Sequence, residues 1–222
     1  MLDFFSTLPL FSDVPTSALE SLCKLSHTAH HRKNKMLIGQ QANERTIFFI
    51  QSGYVKLVRV DEDGRECIHR IVRDEFFLPG TSLFYHDPLP VSAYCLTDAT
   101  IIEVPQAEFE RWLEPFPKTI TRIAGEMNRR LYQMYEWAHQ LAVSGTLERV
   151  HFFLDQLATT YGYTEADGVH IDLPVTQTEI AQMLGVSRES VNRVWNTLRR
   201  SHLLHVQNQS WVLSPDWQKC IC

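Results

Sequence analysis

The 222-residue chain is poor in the residues that usually mark catalysis or a metal framework, with only 9 glycines and 5 cysteines. No glycine-rich phosphate loop, HExxH or GxSxG motif occurs, and the scattered Asp and Glu form no paired-carboxylate pattern. These absences speak against an enzyme. Cys23, Cys67, Cys95, Cys220 and Cys222 are odd in number and contain no CxxC pair, so neither a disulfide framework nor a zinc site is indicated. Cys220 and Cys222 read as a frayed tail. No apolar run approaches the roughly 20 residues that span a bilayer. The start, MLDFFSTLPLF, lacks the basic segment and small-residue cleavage site of a signal peptide. A cytoplasmic protein without membrane partners is therefore expected. His27, His30 and His31 lie close in HTAHHRKNK, but the neighbouring Arg and Lys would repel a cation, so a solvated turn is expected there and no metal.

What the chain does contain is concentrated in TQTEIAQMLGVSRESVNRVWNTLRR, residues 176–200. Thr176 followed by Glu179 is a capping box that opens a helix. Ile180, Ala181 and Leu184 are its apolar positions, and Gly185 ends it. Ser187 caps a second helix running to about Leu198. At about 100° per residue, Val191, Val194 and Leu198 share one face. Glu189, Asn192, Arg193, Asn196 and Arg200 share the other, with Arg188 at the tip. In a helix–turn–helix the second helix enters the DNA major groove, where Arg can bind guanine O6 and N7 and Glu can accept from cytosine N4. Arg188, Glu189, Asn192 and Arg193 are thus expected to read bases.

Net charge is −5, yet residues 185–205 hold four arginines against one glutamate, a local +3, leaving −8 elsewhere. A positive footprint confined to one element suits a sequence-specific reader.

Taken in order, the chain starts with an amphipathic helix carrying Leu19, Leu22 and Leu25. Residues 36–104 then alternate short apolar runs with turn signals, the pattern of a small barrel or sandwich able to enclose a ligand. Within it, residues 46–50 and 54–60 read as a hairpin about Gly53, and DEDG at 61–64 as a second turn. His69 and His86 read as packed or exposed histidines. Residues 106–113 suggest a short helix. A long helix follows Pro117, with Ile120, Ala124, Met127, Leu131, Met134, Ala138 and Leu141 at spacings of 4, 3, 4, 3, 4 and 3. That heptad seam predicts a helix pairing with its copy in a homodimer, Tyr132, Tyr135 and Trp137 widening the stripe. VSGT at 143–146 reads as a hinge. Residues 147–159 form another helix, 162–168 a loop, 169–174 a strand, and 203–213 a hairpin turning near Asn208. Helix–turn–helix followed by hairpin is the winged form.

This succession resembles the family of the bacterial cyclic-AMP receptor protein and the fumarate–nitrate reductase regulator, over nearly the whole chain. Its most specific part is EIAQMLGVSRESVNR at 179–193. Gly39, Gly53 before Tyr54-Val-Lys, Asp63-Gly64 and Phe76-Phe77 also match. The resemblance implies an α+β chain with an N-terminal β-roll at 1–115, a dimerisation helix at 116–142 and a winged helix–turn–helix at 143–222. It implies double-stranded DNA, RNA polymerase and a second copy of the chain as partners, and a possible small-molecule effector. By resemblance Thr176, Gln177, Thr178 and Ser187 would contact phosphates. Arg188 implies a TGTGA-like half-site. The effector region departs from the cyclic-nucleotide binders. Pro79, Gly80 and Thr81 stand where they have Gly-Glu-Leu, Val91-Ser92 where they have Arg-Ser, and Met134-Tyr135 where they have Thr-Ser. A buried phosphate without its Arg would be costly, so cyclic AMP is not expected. Cys23 alone near the N-terminus implies no iron–sulfur cluster. Haem is left open, with His86 as a possible ligand. So is a redox-dependent sensor, or a module acting through protein contacts alone.

Overall fold

The computed structural model describes residues 1–42, 45–73, 76–77, 90–207 and 210–217, with the backbone alone at 76, 77 and 207. The chain divides into two units, Met1–Gln133 and Met134–Cys222.

The first unit begins with α1 (Leu2–Thr7), a 3-10 turn (Pro9–Phe11) and α2 (Thr16–Leu25). Among the described residues eight strands follow: β1 (His27–His31), β2 (Met36–Ile38), β3 (Thr46–Ser52), β4 (Val55–Val60), β5 (Glu66–Val72), β6 (Phe76–Phe77), β7 (Ser92–Cys95) and β8 (Ala99–Pro105). They form two antiparallel sheets, ordered β1-β8-β3-β6 and β2-β7-β4-β5. The unbroken apolar run of β3 follows from burial on both faces. Phe48 and Ile50 pack with Val55, Val72 and Ala93 inside the roll. Ile47 and Phe49 point the other way, into a cluster with Phe5, Phe11, Leu22, Phe109 and Trp112. Successive strand residues face opposite sides, so only a strand covered twice reads as continuous apolar sequence.

Two expectations for this unit change. The segment at 46–60 is no hairpin: β3 and β4 lie in different sheets. Gly53 carries the chain across at φ +91°, and a Cβ there would lie 2.5 Å from the Asp98 carbonyl oxygen. The histidines at 27–31 do not lie in a turn, because they form edge strand β1 on β8, and the turn of this stretch falls after them at Lys33 and Asn34. The polar side chains of β1 find partners on β8, with His30 Nδ1 3.0 Å from Thr100 Oγ1 and His31 Nε2 2.9 Å from Glu103 Oε1. The turn at 61–64 does join a pair, β4 with β5.

Cys95 is buried, and desolvation, aided by Asp98 and Glu103, pushes its thiol up to about 11. His69 is held below the usual imidazole range, first by desolvation and then by the charge of Arg59.

Next come α3 (Gln106–Leu113) and the long α4 (Pro117–Val143), within which the division between the units falls. Thr119 and Ile123 are its buried residues, and Ile120 and Met127 pack against the first unit's own core. The rest of the heptad seam is exposed among the described residues. Ala124 and Ala138 are exposed, and Leu131, Met134 and Leu141 are 46%, 60% and 36% exposed. Tyr132 and Tyr135 beside them are more open still.

The second unit continues through α5 (Thr146–Tyr161), β9 (Gly162–Glu165), β10 (Gly168–Ile171), α6 (Gln177–Leu184), α7 (Arg188–Arg200), β11 (Leu204–Gln207) and β12 (Ser210–Leu213). Its sheet runs β11-β12-β10-β9, antiparallel throughout. Residues 162–168, expected as a loop, contain strand β9 hairpinned onto β10. The strand is polar because its side chains are mostly exposed. Asn208, where the last hairpin was expected to turn, Cys220 and Cys222 lie outside the described residues.

Candidate nucleic-acid interface

Local chemistry sets each helix of the interface. The Thr176 hydroxyl accepts from the Glu179 N–H at 3.2 Å, and the Glu179 carboxylate accepts from the Thr176 N–H at 2.9 Å. Two orphan donors are satisfied at once, which is the capping box expected from the sequence. At the other end Gly185 turns left-handed, φ 63° and ψ 35°, and its N–H reaches the Ala181 carbonyl. A side chain at 185 would meet nothing within 4 Å, so the requirement for glycine is one of backbone conformation. Ser187 then caps α7, its Oγ accepting from the Ser190 N–H at 3.1 Å.

The two faces of α7 separate cleanly. Val191, Val194, Trp195 and Leu198 are buried. Arg188, Glu189, Asn192, Arg193, Asn196, Arg199 and Arg200 are exposed. Trp195, absent from the apolar face read in the sequence, meets Trp211 of β12 edge to face at 5.0 Å. It lies four residues after Val191, and that spacing was the available signal. The contact ties α7 to the wing strand, so the polar face is presented by a packed element.

Asn192 and Asn196 are linked, Asn196 Nδ2 donating to Asn192 Oδ1 at 2.7 Å. Among the described residues neither Arg188 nor Arg193 is in an ion pair. Glu189 is held below the usual carboxylate range, first by its own backbone N–H, then by the Ser187 hydroxyl and Arg188. It is an acceptor at neutral pH. Thr176 and Thr178 are exposed, and Gln177 is half-buried at the start of α6. The four base-reading candidates and Ser187 thus sit together on the first turn and a half of α7, and the other three phosphate-contact candidates at the N-terminus of α6.

The effector candidates do not form one described site. Gly80, Thr81 and His86 lie outside the described residues. Ser92 is buried in β7, and its hydroxyl accepts from the Gln40 N–H at 2.8 Å. Val91 before it is 8% exposed. Met134 and Tyr135 are exposed residues of the second unit.

Residues 148–219 match the family model of the Crp-like helix-turn-helix domain, and residues 28–115 that of the cyclic nucleotide-binding domain. The two matches fall on the winged helix–turn–helix and on the β-roll. The chain belongs to the Crp/Fnr family. The anaerobic regulatory protein of Bacillus subtilis is 23% identical, the match covering 99% of this chain and 94% of that one. The cAMP-activated global transcriptional regulator CRP of Salmonella typhimurium is 28% identical, over 85% and 91%. Among solved structures, a CooA mutant from Carboxydothermus hydrogenoformans superposes with a TM-score of 0.76 at 22% identity, over 90% of this chain and 88% of that one. This Crp/Fnr protein is a transcription regulator with a DNA-binding helix–turn–helix. Its family is one of regulators rather than enzymes. No helix among the described residues is long and apolar enough to cross a membrane.

Proposed function

We propose that this Crp/Fnr regulator works as a homodimer that reads a two-fold symmetric operator with TGTGA-like half-sites and recruits RNA polymerase. The observation that carries the reading is the exposed face of α7. Two arginines that form no ion pair among the described residues, Arg188 and Arg193, flank a carboxylate held in its acceptor form. Arg to guanine and Glu to cytosine are the pairings those side chains make in the major groove. Base readers are Arg188, Glu189, Asn192 and Arg193, with phosphate contacts from Thr176, Gln177, Thr178 and Ser187.

Dimerisation is supported by the open seam. Leu131, Met134 and Leu141 repeat at heptad spacing and are exposed among the described residues. Apolar side chains in that pattern are stabilised by a second helix packing knobs into holes. Two copies would place two α7 helices against half-sites about 34 Å apart, one turn of duplex. The joint between α4 and α5 serves as the hinge. Arg149 holds it by donating from Nε to the Ser144 carbonyl at 2.9 Å and from Nη2 to the Leu141 carbonyl at 2.7 Å.

The effector is not cyclic AMP. Val91 is buried where the cyclic-nucleotide binders have a phosphate-holding Arg, and the Ser92 hydroxyl is engaged by backbone. The test is fluorescence anisotropy with a labelled TGTGA palindrome and a scrambled duplex. Tight binding to the palindrome, weakened when the half-sites are moved half a turn apart, is expected. Equal affinity for both duplexes would overturn the operator reading and favour action through protein contacts alone.

A further inference from the structure

We infer that the β9–β10 hairpin binds one divalent transition-metal ion of the zinc, nickel and cobalt class through Glu165, Asp167 and His170. The strand register sets the donors. Tyr163 pairs with His170 and Gly168 with Glu165. Strand side chains alternate, so Tyr163, Glu165 and His170 lie on one face, and Asp167 sits in the turn between. One ligand atom from each of Glu165, Asp167 and His170 lies within 4.8 Å of the others, the one such group among the described residues. His170 Nε2 is 2.7 Å from Asp167 Oδ1 and 3.7 Å from Glu165 Oε2. Donors around a metal at about 2.1 Å stand about 3.0–3.4 Å apart, and both distances from His170 lie within about half an ångström of that range.

Two further features favour a cation. The imidazole is already oriented, because its ring stacks on Tyr163 at 5.4 Å and 24° and its side chain is only 14% exposed. Negative charge also exceeds positive charge at this spot. Among the described residues neither Glu165 nor Asp167 pairs with a Lys or Arg. A proton on His170 balances one of the two charges on Glu165 and Asp167. A divalent ion balances two and gains an imidazole nitrogen, which favours borderline transition metals over magnesium or calcium. The remaining coordination positions are open to water.

The inference is independent of the operator reading. Its test uses the full chain with Cys220→Ser and Cys222→Ser, so that thiolates cannot take the metal. Zinc is titrated calorimetrically, and cobalt is followed by its visible absorption. One equivalent per chain is expected, with His170→Ala and Asp167→Asn each weakening it at least about 10-fold. Asp167 is exposed, so its isosteric variant keeps the fold even where loss of the His170 ring does not. No saturable uptake up to about 0.1 mM zinc overturns the inference. So does uptake that both variants leave unchanged, which would place the metal elsewhere, and so does a preference for magnesium.

Discussion

Arg193→Ala separates base reading from folding. Arg193 is exposed on α7, while its neighbours Val191, Val194 and Trp195 are buried, so the side chain holds up no core. Surface replacements of this kind stay within about 0.5 kcal/mol of wild-type stability. A bidentate arginine–guanine contact is worth about 1–3 kcal/mol of discrimination. A dimer makes the contact twice, so the full site is expected to lose about 2–6 kcal/mol, or roughly 30- to 20,000-fold in affinity. The loss should fall on the specific site, with scrambled duplex weakened only by one phosphate-range charge per half-site. The assay is competition anisotropy against base-substituted operators at fixed salt, beside a thermal melt. The guanine position read by Arg193 should lose its preference, and the melt should not move. Unchanged affinity and preference would refute the assignment. A drop equal on specific and scrambled DNA would make Arg193 a phosphate contact. Trp195→Ala is the contrast: it removes a buried ring from the α7–β12 contact and should cost about 3–5 kcal/mol of stability.

Met134→Lys puts a charge on the open seam at a residue 60% exposed in the single chain. The fold should survive, while the dimer loses about 3–5 kcal/mol as two like charges meet in a desolvated interface, read by sedimentation velocity; a dimer of wild-type affinity would move the interface elsewhere. Isothermal titration with cyclic AMP should give no saturable heat up to about 1 mM, and micromolar binding would show that the buried Val91 does not exclude the phosphate. His151 of α5 is 3% exposed, its two ring nitrogens have no hydrogen-bond partner among the described residues, and it stacks on Trp217 at 5.3 Å. Desolvation holds it below the usual imidazole range against the opposing pull of Asp155, so the unfolded chain takes a proton first. Stability of the second unit should be full above pH 6.5 and fall below it, by up to about 1.4 kcal/mol per pH unit. His151→Leu should flatten that slope in urea melts between pH 7.5 and 5.5, and an unaltered slope would assign it to other groups.

The helix–turn–helix was legible because its determinants are local. Thr176, Glu179, Gly185 and Ser187 each act within four residues, and each does in the structure what its type and position imply. Strand partners were not legible, because pairing is nonlocal. The residues at 46–60 have the form of a hairpin, and only the position of Asp98 beside Gly53 shows why the chain leaves one sheet for the other. Edge strands β1 and β9 were missed for a related reason. Their outward faces are polar, and polar sequence with histidines or carboxylates looks like loop unless the neighbouring strand is known. The seam on α4 was legible as a spacing, but Ile120 and Met127 belong partly to the chain's own core. Periodicity gives the direction in which a side chain points, not what covers it.

Charge links the interface to the hairpin. Residues 134–222 carry nine Asp and Glu against six Lys and Arg, so the DNA-binding unit is itself at −3. Four of those six cations are on α7. Attraction to a duplex therefore comes from one helix face working against the unit around it. At physiological salt, screening over about 8 Å lets that face act nearly alone. At low salt the surrounding carboxylates are felt as well, so non-specific affinity should rise less steeply on dilution than for a uniformly basic domain. Three of the nine acids, Glu165, Asp167 and Asp172, surround His170. A divalent ion held there would take the unit from −3 to −1 without touching α7. Metal loading would then strengthen non-specific attraction to DNA and leave base preference unchanged, because the proposed base readers and the proposed metal ligands are on different elements.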